Sequence, residues 1–380
     1  METVSSETAE DWRRALSCVV PAVVVLHATA PRAFDTGVAG SSHATGFVVD
    51  KSRGIILTNR HVVGPGPVVA EAIFVNREEI PVYAIYRDPK LVLLQELVRL
   101  CKRPSFYLSS PRWLLLRRGP AEQRSTLERW PCPDPAAIKY LKYEEIPVTP
   151  EAASMGLEIR VVGNDSGEKA ASGTKGGSSG SPVVDCQGRV VALNAGGTTS
   201  SAPAFYLSLD RVIRTLNLIR GCWDPLGSKP ESAYIPRGTL QVTFQHKGFE
   251  ETRRLGLRNE TEQAVRLVSP AGETGMLVVD SLVPDGPADK HLEPGDVLIR
   301  MNGEIVTQFL TMESLIDESV GREINLQIER GGTPLTVKLK VGDLHSITPN
   351  HFLEVSGAVI HPLSYQQHPV LGEDQGLANQ

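Results

Sequence analysis

The stretch Gly177-Ser178-Ser179-Gly180-Ser181-Pro182 decides the fold, together with an earlier stretch, Thr58-Asn59-Arg60-His61-Val62-Val63. A serine hydroxyl becomes a good nucleophile only when a neighbouring imidazole takes its proton, and the oxyanion that then forms needs backbone N–H donors. Glycines on both sides of a serine supply a bare, tightly turned backbone. The two stretches therefore predict two members of a serine-protease triad, His61 and Ser179.

The composition is typical of a globular protein with several domains. The chain has 380 residues, which predicts two or three domains. It is 41% hydrophobic and 22% charged, with 34 glycines and 27 prolines, and this favours strands and turns over disorder. A formal net charge of −5 gives no reason to expect a nucleic-acid partner.

The five cysteines are scattered and show neither disulfide pairing nor metal-ligand spacing, which favours a reducing setting. The acidic residues 1–11 lack the features of a secretory signal or a transit peptide. The apolar run over residues 15–30 is too short to span a bilayer. We therefore expect a soluble intracellular protein without an integral membrane span, in the plastid, the nucleus or the cytosol.

Short apolar runs separated by turns predict an antiparallel barrel near the N-terminus, preceded by a helix that Thr8 caps. Thr45–Asp50 and Gly54–Asn59 predict a hairpin whose second strand leads directly to His61. The Leu-rich run of residues 91–100 is expected to be helical or buried. It opens a tract without clear periodicity, which is uncommon inside a compact domain.

The same patterns predict the organisation of the whole chain. We expect an N-terminal helix (1–19), a first barrel (20–89), an atypical insert (90–133), a shortened second barrel (134–224), a linker (225–236), a third β-rich unit (237–342) and a tail that starts a further region (343–380).

Residues 44–63 and 172–194 resemble the trypsin-like proteases of the HtrA, or Do-like, family, and residues 22–26, 74–81 and 161–169 resemble its plant protease Do-like 7 group. The motif Leu292-Glu293-Pro294-Gly295-Asp296-Val297-Leu298-Ile299 resembles a PDZ domain. The resemblance implies a mainly β fold. It consists of two trypsin-like antiparallel β-barrels, the second of them incomplete, followed by a PDZ domain.

The resemblance also implies roles for individual residues. It makes Ser179 the nucleophile and His61 the general base, with the N–H groups of Gly177 and Ser179 as the oxyanion hole. In the PDZ domain, the backbone N–H groups of Leu255, Gly256 and Leu257 would capture a terminal carboxylate, and the peptide would add as a strand beside the residues that follow. No metal or organic cofactor is implied.

The activity that the resemblance implies is that of an ATP-independent serine endopeptidase. Its substrates would be unfolded or damaged proteins, recognised partly through their C-termini. Members of the family form homo-oligomers, commonly trimers. Neither nucleic acid nor membrane lipid is an expected partner.

The chain departs from the family pattern in two places. The triad aspartate follows a Tyr-Arg-Asp-Pro turn in the family, and here that position is Val92. Asp88 is the nearest substitute, although an aspartate before proline is also typical of a turn. After Lys169, about thirty residues of the family pattern are absent, which predicts a damaged second barrel.

Given these departures, three interpretations of the chain remain open. In the first, the chain is an endopeptidase. In the second, it is an impaired splice or truncation form that acts as a PDZ adaptor, and in the third it is a product that does not fold. An altered gene boundary would also produce the same two departures.

Overall fold

The structure is a computed structural model. It describes residues 8–35, 37–62, 64, 66–89, 95–100, 142–154, 156–165, 168–170, 177–196, 205–207, 209–221, 234–269 and 275–364. The fold is mainly β and divides into two compact units. Unit 1 comprises residues 1–88 and 93–233, and unit 2 comprises residues 89–92 and 234–380.

Unit 1 begins with helix α1, Ala9–Val19. Thr8 caps it as the sequence predicts: the Asp11 N–H donates to the Thr8 hydroxyl, and the Thr8 N–H donates to the Asp11 carboxylate. This reciprocal arrangement satisfies two backbone donors that have no partner within the helix. Trp12, Ala15 and Val19 lie on one face of the helix and are buried.

Six strands close into an antiparallel barrel in the order β1-β2-β3-β6-β5-β4. They are β1 (Val23–Ala30), β2 (Gly40–Asp50), β3 (Ile55–Asn59), β4 (Val69–Ile73), β5 (Glu79–Arg87) and β6 (Gln95–Leu100). The hairpin predicted from residues 45–59 is confirmed, since β2 pairs with β3. Both faces of this sheet are covered, since Leu26 and Ile56 on one face and Phe47 and Leu57 on the other are all fully buried.

Strand β6 decides between the alternatives for residues 91–100 only in part. The sequence indicates a helical or buried run at the start of an insert, and Gln95–Leu100 is not helical but a strand between β3 and β5. Leucine favours helices, yet a strand that pairs on both sides gains more from the sheet than it loses in intrinsic propensity. The first barrel therefore needs residues beyond position 89 to close. The rest of the predicted insert lies outside the described residues.

The second half of unit 1 contains an open four-stranded sheet. Its members are β7 (Arg160–Val161), β10 (Pro182–Val184), β11 (Val190–Gly196) and β12 (Phe205–Leu207), in the order β12-β11-β10-β7. A separate hairpin pairs β8 (Gly163–Asp165) with β9 (Glu168–Ala170). Within the described residues this sheet does not close, as expected of an incomplete second barrel.

Helix α2, Asp210–Gly221, completes the described part of unit 1. Its Arg220 donates to the Asp50 carboxylate at 3.0 Å and to the Val49 carbonyl at 3.0 Å, so the end of the helix is fixed on strand β2.

Unit 2 contains an antiparallel sheet in which five strands follow one another in order, with helices packed around it. Its elements are β13 (Gly238–Thr239), β14 (Val242–Lys247), α3 (Phe249–Arg254), α4 (Asn259–Val268), β15 (Met276–Leu282), β16 (Val297–Met301), β17 (Glu304–Ile305), α5 (Phe309–Glu318), β18 (Glu323–Arg330), β19 (Thr333–Lys340), β20 (Gly342–Asp343), β21 (Leu353–Val355) and β22 (Ala358–Ile360). The path is β14-β15-β16-β18-β19, with β17 paired to β16.

Apolar runs in the sequence predict strands at 240–245, 276–282, 296–301, 323–329 and 335–341 and a helix at 312–318, and the structure has the five long strands and α5 there. The sequence pattern does not predict α3 and α4. The core lies between the sheet and α5, where Leu277, Leu298, Ile324 and Leu326 are fully buried. Across the described residues, no helix has both the length and the apolar character needed to cross a membrane.

Candidate active site

The loop that carries Ser179 is a tight turn before strand β10. Gly177 and Gly180 have φ values of 97° and 83°, the left-handed region that favours glycine. The Ser181 N–H donates to the Ser178 carbonyl at 3.1 Å, and the Gly180 N–H donates to the Asn194 carbonyl at 3.0 Å. The glycines of the motif are therefore needed for the shape of the loop.

This loop is fixed on the first barrel through strand β2. The Thr45 N–H donates to the Ser179 carbonyl at 2.9 Å, and the Thr45 hydroxyl donates to the Gly177 carbonyl at 2.9 Å. Gly180 approaches so closely that a Cβ there would lie 2.2 Å from the Thr45 carbonyl oxygen and 2.6 Å from the Thr58 hydroxyl. Only glycine fits at this position.

His61 lies in the turn that follows strand β3, where the Val62 N–H donates to the Asn59 carbonyl at 3.1 Å. The Asn59 side chain donates to the Asn194 carbonyl at 2.9 Å, and the Asn194 side chain donates to the Ser178 carbonyl at 2.9 Å. The structure thus joins the segments that carry His61 and Ser179 through two asparagines. The sequence analysis gave neither asparagine a role, although Asn59 lies within the histidine motif.

A buried ion pair holds the same turn from the other side. Arg60 donates to the Asp35 carboxylate at 3.3 Å, and the two side chains are only 3% and 1% exposed. Because an unpaired charge at such a depth is costly, the pair restrains the residue next to His61. The sequence analysis missed this pair as well.

His61 is an exposed residue, but neighbouring protein atoms shield part of its ring from water. This desolvation lowers the pKa of His61 below its ordinary value of 6.5. The imidazole is therefore neutral at pH 7, which is the form that can accept a proton. In the described part of the chain, no carboxylate makes a hydrogen bond or ion pair with His61.

Asp88, the nearest substitute for the triad acid, is 6% exposed and accepts a hydrogen bond from the Tyr86 hydroxyl at 3.1 Å. No hydrogen bond or ion pair joins Asp88 to His61, two residues that the structure describes. Val92, which the resemblance leads us to expect at the position of the family aspartate, lies outside the described residues. The structure therefore connects the segments that carry His61 and Ser179 by hydrogen bonds, and it makes no such connection between the described residues Asp88 and His61.

The N–H groups of Gly177 and Ser179 remain available to a ligand. Among the described residues neither donates a hydrogen bond, whereas the N–H groups of Gly180 and Ser181 both do. Two uncommitted donors, one of them the N–H of Ser179 itself, can stabilise a negatively charged oxygen that forms near the Ser179 hydroxyl.

In unit 2, the N–H groups predicted to capture a carboxylate already make backbone hydrogen bonds. The N–H groups of Leu255, Gly256 and Leu257 donate to the carbonyls of Glu251, Arg253 and Thr252, respectively, at 2.9–3.1 Å. Helix α4 follows them instead of a strand. The three residues close the C-terminal end of α3, so these N–H groups are committed within the chain.

Strand β14 is better placed to receive a peptide, because it is an edge strand of the sheet. The buried Leu240 precedes it, and the Leu240 N–H donates no hydrogen bond within the described residues. Gln241 has a φ of 56°, so the chain bends sharply between this N–H and the strand. The sequence pattern predicts a strand here, but it does not indicate the bend before the strand.

Comparison with known proteins shows to which family the chain is related. The model of the trypsin-like peptidase domain matches residues 44–193, and the model of the PDZ domain matches residues 253–341. Protease Do-like 7 of Arabidopsis thaliana is 59% identical over 397 aligned residues, which include 96% of this chain. The chain belongs to the HtrA, or Do-like, family of serine proteases.

Fungal members of the HtrA family are also similar. The pro-apoptotic serine protease NMA111 of Phaeosphaeria nodorum is 41% identical over 95% of this chain. The alignments cover only 33% of the Arabidopsis protein and 34% of the fungal one. The chain thus spans about a third of the length of the curated relatives it matches.

Solved HtrA structures share the fold. The HtrA-type protease AlgW with a decapeptide has a TM-score of 0.53 at 15% identity, over 87% of this chain and 98% of AlgW. A structure of AlgW with a tripeptide has a TM-score of 0.54 at 17% identity, over 87% and 96% of the two chains. The match to the PDZ domain model begins at residue 253, but the structure places β14, which precedes that residue, in the same sheet.

Proposed function

We propose that this chain is a serine endopeptidase in which Ser179 is the nucleophile and His61 the general base. The observation that carries the proposal is the hydrogen-bonded network between their segments. Asn59 bonds to the Asn194 carbonyl, and Thr45 bonds to the Ser179 carbonyl, each at 2.9 Å. A network of this kind holds a nucleophile and a base in fixed relative positions, which catalysis requires.

The proposed reaction is acyl transfer to Ser179. The Ser179 hydroxyl attacks the scissile carbonyl while the neutral imidazole of His61 takes its proton. The N–H groups of Gly177 and Ser179 stabilise the oxyanion, and His61 returns the proton to the leaving amine. Water then hydrolyses the acyl-enzyme by the same steps. The lowered pKa of His61 keeps the base neutral at physiological pH.

We expect turnover to be slow. Replacing the triad aspartate in a comparable enzyme reduces kcat by about 10⁴, because the acid fixes the tautomer and orientation of the imidazole. In the described part of this chain, His61 has no carboxylate partner. The backbone N–H donors would still give some rate enhancement without the acid.

The proposed substrates are unfolded or damaged proteins, held by their C-termini in unit 2. Strand β14 provides the edge to which a peptide would add, and the Leu240 N–H provides a donor for the terminal carboxylate. The AlgW structures, which have this fold, contain a decapeptide and a tripeptide. By family we also propose that the chain forms homo-oligomers.

A second candidate function is that of a peptide-binding adaptor without protease activity. The observation that favours it is the missing carboxylate partner of His61 among the described residues. In this alternative the PDZ domain binds C-terminal peptides, and the peptidase-like unit acts as a scaffold.

A fluorophosphonate probe distinguishes the two candidates. We expect it to label the wild-type chain and to fail with Ser179→Ala. Ser181→Ala is the matched control on the same loop, because the buried Ser181 hydroxyl has no hydrogen-bond partner among the described residues and its removal should leave labelling intact. A folded wild-type chain without labelling would establish the adaptor and overturn the endopeptidase.

A peptide titration tests the proposed binding edge. We expect hydrogen exchange to slow in β14, but not in β19 at the opposite end of the sheet path, when a peptide with a free C-terminus binds. The same peptide with an amidated C-terminus is the control, because it lacks the carboxylate. Protection of β19, or equal binding of the amidated peptide, would contradict this edge.

A further inference from the structure

A tight turn that includes Phe34 and Asp35 packs against the chain on both sides of His61. Phe34 and Gly37 close this turn through two backbone hydrogen bonds, of 2.9 and 3.1 Å. Asp35 has a φ of 54°, in the left-handed region that aspartate adopts more readily than most residues. Phe34 and Asp35 are both buried. We call this segment the Phe34 turn, and its two buried side chains contact the segment that carries His61.

The first contact of the Phe34 turn is to the residue directly before His61. The buried ion pair joins the side chains of Asp35 and Arg60 at 3.3 Å. Among the described residues, the Arg60 guanidinium bonds to no other group, and its Nε is buried without a hydrogen-bond partner. Because a buried guanidinium without a carboxylate is costly, Asp35 holds Arg60 in one position.

The second contact of the Phe34 turn is to Gly66, five residues after His61. A Cβ on Gly66 would lie 2.8 Å from the Phe34 Cβ and 3.4 Å from its Cγ, so the backbone packs directly on the base of this side chain. The shorter separation is well inside the usual carbon–carbon contact of about 3.5–4.0 Å. Gly64 differs, since a Cβ there would meet no atom of the described residues within 4 Å. The contact is therefore specific to position 66.

His61 thus lies between two positions, 60 and 66, that contact the Phe34 turn. In a Ser-His-Asp triad, the acid orients the imidazole by bonding to it directly. Within the described residues His61 has no carboxylate partner. Its orientation therefore depends on the backbone that carries it and on the atoms packed around it.

We propose that the Phe34 turn positions the His61 imidazole to take the Ser179 proton, which is the orienting task of the acid in a Ser-His-Asp triad. Asp35 and Phe34 are positioning residues in this arrangement, because they act on His61 through positions 60 and 66. They fix its orientation but bring no negative charge to the imidazolium, which is consistent with the slow turnover expected above. This role depends on the endopeptidase function proposed above.

Two alanine variants of the loop after His61 test the second contact. Gly66→Ala places a methyl group against Phe34 and should displace the loop. We expect fluorophosphonate labelling of Ser179 to slow by about tenfold or more, since a misplacement of about 1 Å can cost about a hundredfold. Gly64→Ala is the matched control, because its methyl group has space, and it should be labelled at the wild-type rate. Equal labelling rates in the two variants would overturn the role of this contact.

A double variant tests the ion pair without leaving a buried charge. Arg60→Met with Asp35→Asn removes both charges, and asparagine tolerates the φ of Asp35, so the chain should remain folded in a thermal melt. We expect labelling to slow by about tenfold or more. In an NMR titration, the midpoint of the His61 ring should rise towards 6.5, because a ring that is no longer held gains contact with water.

Arg237→Met with Asp317→Asn is the matched control, because it removes a buried ion pair from unit 2, with side chains 6% and 3% exposed. Neither the labelling rate nor the His61 midpoint should change in this control. An unchanged His61 midpoint in the double variant of Arg60 and Asp35 would overturn the proposed role, and so would an unchanged labelling rate. If the wild type is not labelled at all, the endopeptidase function fails, while a raised midpoint still supports the positioning of the ring by the Phe34 turn.

Discussion

The side chain of Asn59 donates a hydrogen bond to the Asn194 carbonyl at 2.9 Å. Asn59 ends the strand before His61, and Asn194 lies on the strand that receives the Ser179 loop. The Gly180 N–H donates to the same carbonyl at 3.0 Å. One buried carbonyl therefore accepts from both segments of the candidate active site.

Replacing Asn59 with alanine should weaken this connection. We expect Asn59→Ala to lower the free energy of unfolding by about 1–3 kcal/mol, because a buried hydrogen bond is lost. Fluorophosphonate labelling of Ser179 should slow as well. Urea denaturation and labelling kinetics measure the two effects. Asn325→Ala, in unit 2, should leave labelling unchanged, and an equal effect of both variants on labelling would contradict the proposed connection.

Gly180→Ala should be far more damaging than Gly188→Ala. Both glycines have positive φ, 83° and 76°, so both variants incur backbone strain of about 1–2 kcal/mol. A Cβ at Gly188 would meet its nearest atoms at 3.5 Å, an ordinary contact, whereas one at Gly180 would lie 2.2 Å from the Thr45 carbonyl. We expect Gly180→Ala alone to abolish labelling. Thermal melts of the pair measure the difference, and equal melting temperatures would show that the loop does not pack as described.

Fluorophosphonate labelling of Ser179 should stay fast down to a lower pH than a histidine with the ordinary pKa of 6.5 would allow. Desolvation lowers the pKa of His61, so the neutral base persists below pH 6.5. Because the pKa of His61 is lower in the folded chain, the unfolded chain binds the proton more readily. The contribution of His61 to the free energy of unfolding therefore falls as the pH drops from 6.5 towards the folded pKa. A pH profile of labelling, with NMR titration of the His61 ring, measures this. A midpoint above 6.5 would instead indicate a nearby carboxylate.

In unit 2, Asp317→Ala should be strongly destabilising. Arg237 donates to Asp317 at 2.8 Å with both side chains buried, at 6% and 3% exposure, so the variant leaves a buried positive charge. We expect a loss of about 3–5 kcal/mol. Glu293→Ala removes an ion pair of similar length from the surface and should cost about 0–1 kcal/mol. Denaturation of both variants provides the comparison, and similar losses would contradict the role of burial.

Local patterns in the sequence predicted much of the fold. The Thr8 cap, the hairpin of β2 and β3, and the long strands of unit 2 depend on neighbouring residues, so they could be recognised in advance. Strand β6 could not, because its Leu-rich run favours a helix until β3 and β5 pair with it on both sides. Leu255 to Leu257 show the same limit: their sequence suits a peptide-binding loop, but the fold uses their N–H groups to end helix α3.

By itself the sequence determined the family and named the candidate nucleophile and base, because the Gly177–Pro182 and Thr58–Val63 motifs are contiguous and each carries its chemistry locally. Only the tertiary structure decided which groups surround them. It buried Arg60 against Asp35, joined Asn59 to Asn194, and formed no hydrogen bond or ion pair between the described residues Asp88 and His61. The physical reason is that hydrogen bonds and desolvation act over a few ångströms in space, between residues such as Asn59 and Asn194 that the chain separates by 135 positions.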